Sequence, residues 1–195
     1  MQDYWTRWEN WMQHHAPPLL NILNPGVNTD TITSLERLTG TALPADFKNF
    51  YAIHNGQQRK RTGLIDADQL LPVEEIIEVW HRWQDLLDAG TFMHNDEPFA
   101  SEPDTGIRNN WWNPKWIPIT SDGFDNHLCI DMDPAPEGRT GQVIAFWHDD
   151  GHREVIAPSF RKWVDNYVSG LEKGEYVFIK KWGIVRRDTS FNYND

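Results

Sequence analysis

The sequence predicts an α+β protein in which an antiparallel sheet is flanked by helices. Between residues 2 and 90, apolar side chains recur at spacings of three and four, which is typical of amphipathic helices. From Trp116 to Ala157, apolar residues alternate with polar ones or form short runs between turn signals, as they do in strands. From Ser159 the helical spacing returns. This order of elements is the one expected of an α+β domain.

The predicted helices carry recognisable start and stop signals. Thr33-x-x-Glu36 is a capping-box pattern, which marks a helix start, and Gly40 favours the left-handed conformation that ends a helix. Pro44 and Pro72 suit a first helical turn, because an N–H group there would lack a partner within the helix. The predicted helices span residues 2 to about 15, 33–40, 43–56 and 72–90, and the last begins at Ser159.

The strands are predicted from short apolar segments after residue 115. Residues 128–132 alternate between apolar and polar, which indicates a half-buried strand and places Cys129 on its partly exposed face. Residues 142–147 are apolar on both faces, which favours a central strand. The turn signal Asp149-Asp150-Gly151 then predicts a hairpin to residues 154–157.

Two regions lack a clear period. Residues 91–115 contain several proline, asparagine and acidic residues and are predicted to be a long surface loop or an insertion. Residues 183–195 are predicted to be a frayed polar tail. The length of 195 residues fits one domain, so residues 1–195 are expected to form a single unit. We expect Trp80, Trp116, Phe146, Phe160 and Trp163 to be among its buried core residues.

Composition indicates a cytoplasmic protein. A chain of this size buries roughly 70% of its unfolded surface, so it needs no disulfide or metal to hold a core. Cys129 is the only cysteine, which suits a reducing compartment. The first residues lack the basic and apolar regions of a signal peptide, and no apolar run approaches the ~20 residues of a membrane span.

The formal net charge of −11 restricts the kinds of partner. Nucleic acid and anionic membranes are disfavoured, because binding to either depends on lysine and arginine. A basic protein partner is favoured, because the field of the acidic surface steers its approach. The other interpretation is that the acidic balance serves solubility alone.

The candidate chemical sites all have structural explanations. The segment from His148 to His152 contains metal-ligating side chains, but its spacing fits a hairpin turn. Asp122 and Asp125 superficially resemble a calcium loop without its ligand spacing. Cys129 has no adjacent basic residue to activate it. We therefore expect no catalytic residue, cofactor or metal, and no enzyme; a metal-dependent hydrolase at His148, Asp149 and His152 is the rival hypothesis.

Several motifs in a fixed order together resemble the SUKH superfamily, specifically the branch of the fungal Smi/Knr cell-wall-synthesis regulators. The resemblance extends from about Trp5 to Tyr176. The motifs that carry it are Trp8-x-x-Trp11, Leu43-Pro44-x-Asp46-Phe47, His54-Asn55-Gly56, Trp116-Ile117-Pro118-Ile119, Asp131-Met132-Asp133-Pro134 and Ala157-Pro158-Ser159-Phe160-x-x-Trp163.

The resemblance implies a SUKH-like α+β fold without enzymatic activity. Bacterial members are largely immunity proteins that neutralise a toxin, whereas fungal members act as signalling and interaction hubs with disordered flanks. The compact chain therefore favours an immunity protein that binds a cognate, basic toxin domain. The alternative is a regulatory adaptor or scaffold in cell-envelope synthesis.

The acidic balance predicts that carboxylates form the partner-binding surface. The candidates are acids in the long loop and in the turns at strand ends, where side chains are exposed. They are Asp96, Glu97, Glu102, Asp104, Asp122, Asp125, Asp149 and Asp150.

Overall fold

The computed structural model describes residues 1–60 and 62–187. Within them, helices dominate the first half of the chain and strands the second, which confirms the predicted α+β class. The helices are α1 (Gln2–His15), α2 (Pro17–Leu20), α3 (Thr29–Thr39), α4 (Ala45–Tyr51), α5 (Val73–Asp88) and α6 (Phe160–Glu172).

The strands are short and form several small sheets. They are β1 (Gln69–Leu70), β2 (Met93–His94), β3 (Glu97–Pro98), β4 (Glu102–Pro103), β5 (Trp116–Pro118), β6 (Thr120–Ser121), β7 (His127–Asp131), β8 (Gln142–Phe146), β9 (His152–Arg153), β10 (Val155–Ala157), β11 (Tyr176–Ile179) and β12 (Gly183–Arg186). The central sheet is antiparallel in the order β10-β8-β7-β5, so β8 is an interior strand, as predicted. Outside it, β4 pairs with β9 in parallel, and the pairs β1–β6, β2–β3 and β11–β12 are antiparallel.

Both faces of the central sheet are covered by aromatic side chains. On one face, Phe146 of β8 packs against Trp83 of α5 and against Trp112, with ring centroids 4.6 and 5.3 Å apart. The other face meets α6, and the Phe160 ring of α6 lies 5.3 Å from the Phe50 ring of α4. One hydrophobic core links these layers, and it includes the predicted core residues Trp80, Trp116, Phe146, Phe160 and Trp163.

The predicted start of α3 is wrong. The helix is capped by Asn28, whose side-chain oxygen accepts a 2.8 Å hydrogen bond from the N–H of Thr31. Asparagine is as good a cap as threonine, and it lies upstream of the capping-box pattern. Glu36 instead accepts a hydrogen bond from the N–H of Leu43 and pairs with Lys48 at 3.1 Å. Gly40 ends the helix in the left-handed conformation, as predicted.

The predicted exposure of Cys129 is also wrong. Its side chain is fully buried, and so are His127 and Asp131 on the same face of β7. The alternation of apolar and polar residues does not mark the exposed face of β7, because both faces of the strand are covered. The face predicted to be polar packs against the tryptophan side chains beneath α5. Leu128, predicted to be buried, is only partly so.

The two aperiodic regions contain regular structure. Residues 91–115 include β2, β3 and β4, and Phe92, Ile107 and Trp112 are buried, so this segment covers part of the core instead of forming a simple surface loop. Residues 183–186 form β12, which pairs with β11, because apolar residues at 184 and 185 reach the core. This contradicts a frayed tail from residue 183; residues 188–195 lie outside the described residues.

Candidate functional site

Two turns meet at one end of the central sheet. The strands β7 and β8 end their pairing at His127 and Phe146, so the residues before β7 and after β8 leave the sheet at the same edge. The side-chain oxygen of Asn126 accepts hydrogen bonds from the N–H and from Nδ1 of His148, each 3.0 Å long. These bonds join the β6–β7 turn (residues 122–126) to the β8–β9 turn (residues 147–151).

The β6–β7 turn is held by Asp122. Its carboxylate accepts hydrogen bonds from the N–H of Phe124 at 2.7 Å, from the N–H of Asn126 at 3.1 Å and from the Asn126 amide at 2.7 Å. Gly123 and Asp125 have positive φ angles, which these residue types tolerate in turns. The turn leaves the Phe124 side chain 76% exposed, so a fixed backbone presents an aromatic ring to solvent.

A groove runs between this end of the sheet and α5. We call it the α5 groove; it has a volume of about 550 Å³ and is lined by Arg82, Trp83, Asp85, Leu86, Phe92, Asp125 and His148. Trp83 and Phe92 are buried and stack with ring centroids 5.9 Å apart. An ion pair between Arg82 and Asp125, 3.1 Å long, links α5 to the β6–β7 turn.

A larger cavity of about 820 Å³ lies on the other side of that ion pair. Its lining includes Arg59 and Lys60 from the basic run, and Arg59 lies 3.5 Å from Glu75. Arg82 and Asp125 line this cavity as well as the α5 groove. Charges of both signs therefore face each other here, which gives the cavity no clear preference for an anion or a cation.

Arg153 fixes the segment 91–115 against the sheet. Its guanidinium is buried and donates hydrogen bonds to the carbonyl oxygens of Asp150 and His152 on its own turn and of Trp111 in the segment. It also lies 4.6 Å from the centre of the Phe146 ring, a cation–π contact. Burial lowers the pKa of Arg153 to about 10.

The predicted acidic residues lie on three neighbouring segments. Asp122 and Asp125 are in the β6–β7 turn, Asp149 and Asp150 are in the β8–β9 turn, and Asp96, Glu97, Glu102 and Asp104 are in the segment 91–115. The structure brings Glu102 and Asp150 together around His152, at 3.5 and 2.8 Å. The hydrogen bond that the His152 ring donates to Asp150, together with the charges of Asp150 and Glu102, raises the pKa of His152.

Three of the eight acids accept hydrogen bonds from backbone N–H groups. Asp122 organises its turn, Asp150 accepts a hydrogen bond from the N–H of His152 at 2.8 Å, and Asp104 accepts one from Val155 at 3.0 Å. Asp96, Glu97 and Asp149 are exposed. Asp125 pairs with Arg82, Glu102 lies 3.5 Å from His152, and Asp149 lies 3.7 Å from Nδ1 of His148. Asp96 and Glu97 take part in none of the salt bridges among the described residues.

The metal-ligating side chains of residues 148–152 do not converge on one point. His148 turns toward Asn126, whereas His152 turns toward Asp150 and Glu102. Within the described part of the chain, no group of three or more His, Cys, Asp or Glu residues is arranged to hold a metal ion. In the same residues, no helix is both long and apolar enough to cross a membrane.

Sequence reasoning missed the apolar part of the site. Leu86 lies on α5 beside the buried stripe and is 39% exposed, and Phe92 belongs to residues 91–115, for which the sequence predicts a surface loop. A leucine next to the predicted stripe is a weak signal. The groove itself joins α5, the segment after it and two distant turns, so no local pattern could predict it.

Comparison with known proteins identifies relatives over most of the chain. The sequence profile of the SMI1 / KNR4 family (SUKH-1) matches residues 26–166. The "Glucan synthesis regulatory protein" of Neurospora crassa is 27% identical over 88% of this chain and 38% of its own length. The "Cell wall biosynthesis/cell cycle regulator smi1" of Schizosaccharomyces pombe is 29% identical over 91% of this chain and 37% of its own.

A third relative has a similar name. The "Cell wall assembly regulator SMI1" of Saccharomyces cerevisiae is 22% identical over 90% of this chain and 41% of its own length. The chain therefore spans about two fifths of the length of these curated relatives. Their names describe regulators and no enzyme, and none describes an immunity protein.

Proposed function

The chain belongs to the SMI1 / KNR4 family (SUKH-1), and we propose that it is a non-enzymatic regulatory domain that works by binding another protein. The observation that carries this proposal is the similarity to fungal regulators of cell-wall and glucan synthesis over about nine tenths of the chain. The regulatory reading, which the sequence offered as the alternative to an immunity protein, is therefore the better supported of the two.

The end of the sheet suits such a role. Its turns are fixed by internal hydrogen bonds, which His148 donates to Asn126 and which Asp122 accepts within its own turn, so the surface is formed before a partner arrives. Binding then requires little ordering of the site, which lowers its free-energy cost. Exposed acids around these turns favour a basic partner surface.

A toxin-neutralising role remains the second candidate. It has one specific observation in its favour, the net charge of −11, which suits the basic surface of a nuclease-type toxin. The same charge suits any basic partner, whereas the named relatives point to regulation. Co-expression with a candidate toxin would separate the roles, since only an immunity protein restores growth of the poisoned cell.

A domain exchange tests the regulatory role. In Schizosaccharomyces pombe, the part of smi1 that aligns with this chain is replaced by residues 1–195, and growth is measured under a cell-wall-perturbing dye. We expect the hybrid to restore growth to a strain that lacks smi1. A hybrid that is as abundant as native smi1 and restores nothing contradicts the proposal.

The matched control is the hybrid with Phe160→Ala. Phe160 is fully buried at the start of α6, where it packs against Phe47 and Phe50 of α4, so this change disrupts the fold of the exchanged part without touching the surface. We expect it to lose the rescue. Rescue by the disrupted hybrid would show that the rest of smi1 suffices.

A further inference from the structure

We propose that the α5 groove binds a segment of a partner protein that carries one large apolar side chain with lysine or arginine close beside it. The inference rests on the proposed function, because it names the chemistry of the partner that a regulatory domain of this kind would bind. It is carried by the lining of the groove and by the charges at its rim.

The apolar floor of the groove favours a large apolar side chain of the partner, which we call the anchor. The stacked rings of Trp83 and Phe92 form its base, and Leu86 forms an apolar wall that is 39% exposed. A volume of about 550 Å³ lies within the range of roughly 300–1,000 Å³ that is typical of ligand pockets. It can therefore accept a large side chain and the backbone on either side of it. Burial of Leu86 and of the anchor supplies the hydrophobic part of the binding free energy.

The acidic side chains at the rim of the groove favour lysine or arginine in the partner segment. The charge of Arg82 is already offset by Asp125, 3.1 Å away. None of the salt bridges among the described residues involves Asp85, Asp88, Asp96 or Glu97. Asp85 lies in the groove lining next to Leu86, and Asp88 follows on the same helix. A cation beside the anchor would pair with these carboxylates.

The acidic tip of the β2–β3 hairpin extends the same rim. The N–H of Phe99 donates to the carbonyl of Phe92, so the hairpin begins beside the groove floor. A strand rises about 3.3 Å per residue, which places Asp96 and Glu97 within roughly 10–15 Å of Phe92. On the opposite wall, Asp149 follows His148 and is exposed, with its carboxylate 3.7 Å from Nδ1 of His148. Acids thus stand on both sides of the apolar floor.

A second copy of this chain is the less suitable occupant. Each copy carries a formal charge of −11, so two acidic rims brought together repel each other. A basic segment instead gains from the field as it approaches. The wall that the two turns form is also held in place by the Asn126–His148 hydrogen bonds, so the groove does not need the partner to form it.

The test uses the purified chain of 195 residues and a displayed library of random 16-residue peptides. We expect the enriched peptides to share a large apolar residue with lysine or arginine within four positions of it. A peptide synthesised from that consensus should lose at least tenfold in affinity when its anchor is changed to alanine, and a similar amount when its basic residues are changed to glutamate.

The location is tested with two variants of matched exposure. Leu86→Lys removes the apolar wall and adds a positive charge, on a helix surface where lysine is well tolerated. Ile156→Lys is the control, because Ile156 is 36% exposed on β10 and lines a different groove, next to α6. We expect Leu86→Lys to weaken peptide binding at least tenfold and Ile156→Lys to leave it within twofold, with both variants retaining the thermal unfolding of the wild type.

Three outcomes would overturn the inference: no enriched peptide, enriched peptides without basic residues, or peptide binding that Leu86→Lys leaves unchanged or that Ile156→Lys weakens equally. Its failure is separable from that of the proposed function. If the domain exchange in Schizosaccharomyces pombe restores growth and the peptides fail, the regulatory role stands and only the α5 groove is excluded as its binding site.

Discussion

The side-chain oxygen of Asn126 lies 3.0 Å from both the backbone nitrogen and Nδ1 of His148, and both groups donate to it. Asn126 is in turn oriented by Asp122, whose carboxylate accepts from its amide nitrogen at 2.7 Å. This chain of contacts joins two turns that are separated by 22 residues in sequence. It fixes the wall of the α5 groove that lies opposite α5.

Loss of this link should loosen the β8–β9 turn. Asn126→Ala leaves the N–H of His148 without its partner, which should cost about 1–2 kcal/mol in the free energy of unfolding. Urea unfolding measures that cost, and hydrogen exchange should show faster exchange at residues 147–152. Asn166→Ala, at an exposed position of α6, serves as the control and should change neither. Equal exchange in both variants would show that the contact does not hold the turn.

The aromatic core should dominate stability. Phe160→Ala removes a ring that packs against Phe47 and Phe50, with centroids 5.4 and 5.3 Å away, and should cost about 3–5 kcal/mol. Phe124→Ala removes a ring of the same size from solvent and should cost less than ~0.5 kcal/mol. Chemical denaturation compares the two. A loss below about 1 kcal/mol for Phe160→Ala would contradict the burial of its ring against α4.

Asp68 should make stability depend on pH. Burial and the neighbouring carboxylates of Asp122 and Asp66 raise the pKa of Asp68 to about 8. The pKa of an aspartate side chain in an unfolded chain is about 3.9. The folded state therefore binds the carboxyl proton of Asp68 more tightly than the unfolded state does. The contribution of Asp68 to the free energy of unfolding is full below pH 4 and is lost as the pH rises through 8. Asp68→Asn cannot ionise and should remove that loss.

Thermal unfolding of wild type and Asp68→Asn between pH 4 and 9 measures this effect. The difference between the two should be smallest near pH 4 and should grow in favour of Asp68→Asn up to about pH 8. The asparagine can still accept the hydrogen bond that Thr120 donates to Asp68. Parallel pH profiles would show that Asp68 titrates normally in the folded protein.

Cys129 should be inert in the native protein. Its thiol is buried, and burial raises its pKa well above the usual range, so little thiolate forms near neutral pH. A thiol reagent at pH 8 should therefore label the folded chain far more slowly than the chain in denaturant. Labelling at the same rate in both conditions would contradict the position of β7 in the sheet.

The sequence predicted the elements better than their details. Helical spacing located α1, α5 and α6, because each buries one continuous stripe. The prediction of which side chains are exposed was wrong at β7, because both faces of this strand are covered and the alternation of apolar and polar residues does not mark the inner face. It also failed at residues 91–115, whose strands have only two residues each and depend on tertiary contacts such as that between Arg153 and Trp111.

The candidate site was predictable only in part. Turn signals placed Asp125 and Asp149 on exposed turns, and the structure brings those turns together. The sequence could not distinguish these two exposed acids from Asp122, whose carboxylate accepts backbone hydrogen bonds within its own turn. The α5 groove lay beyond prediction, since Leu86, Phe92 and His148 come from three separate segments.

The most direct measurement of the central claim is growth of the Schizosaccharomyces pombe hybrid with the groove altered. The hybrid carrying Asp85→Lys and Leu86→Lys is compared with the hybrid carrying Ile156→Lys, at equal abundance and under the same cell-wall stress. If the domain regulates by binding a partner through the α5 groove, the double variant fails to restore growth and the Ile156→Lys hybrid restores it. Equal rescue by both hybrids would contradict the account.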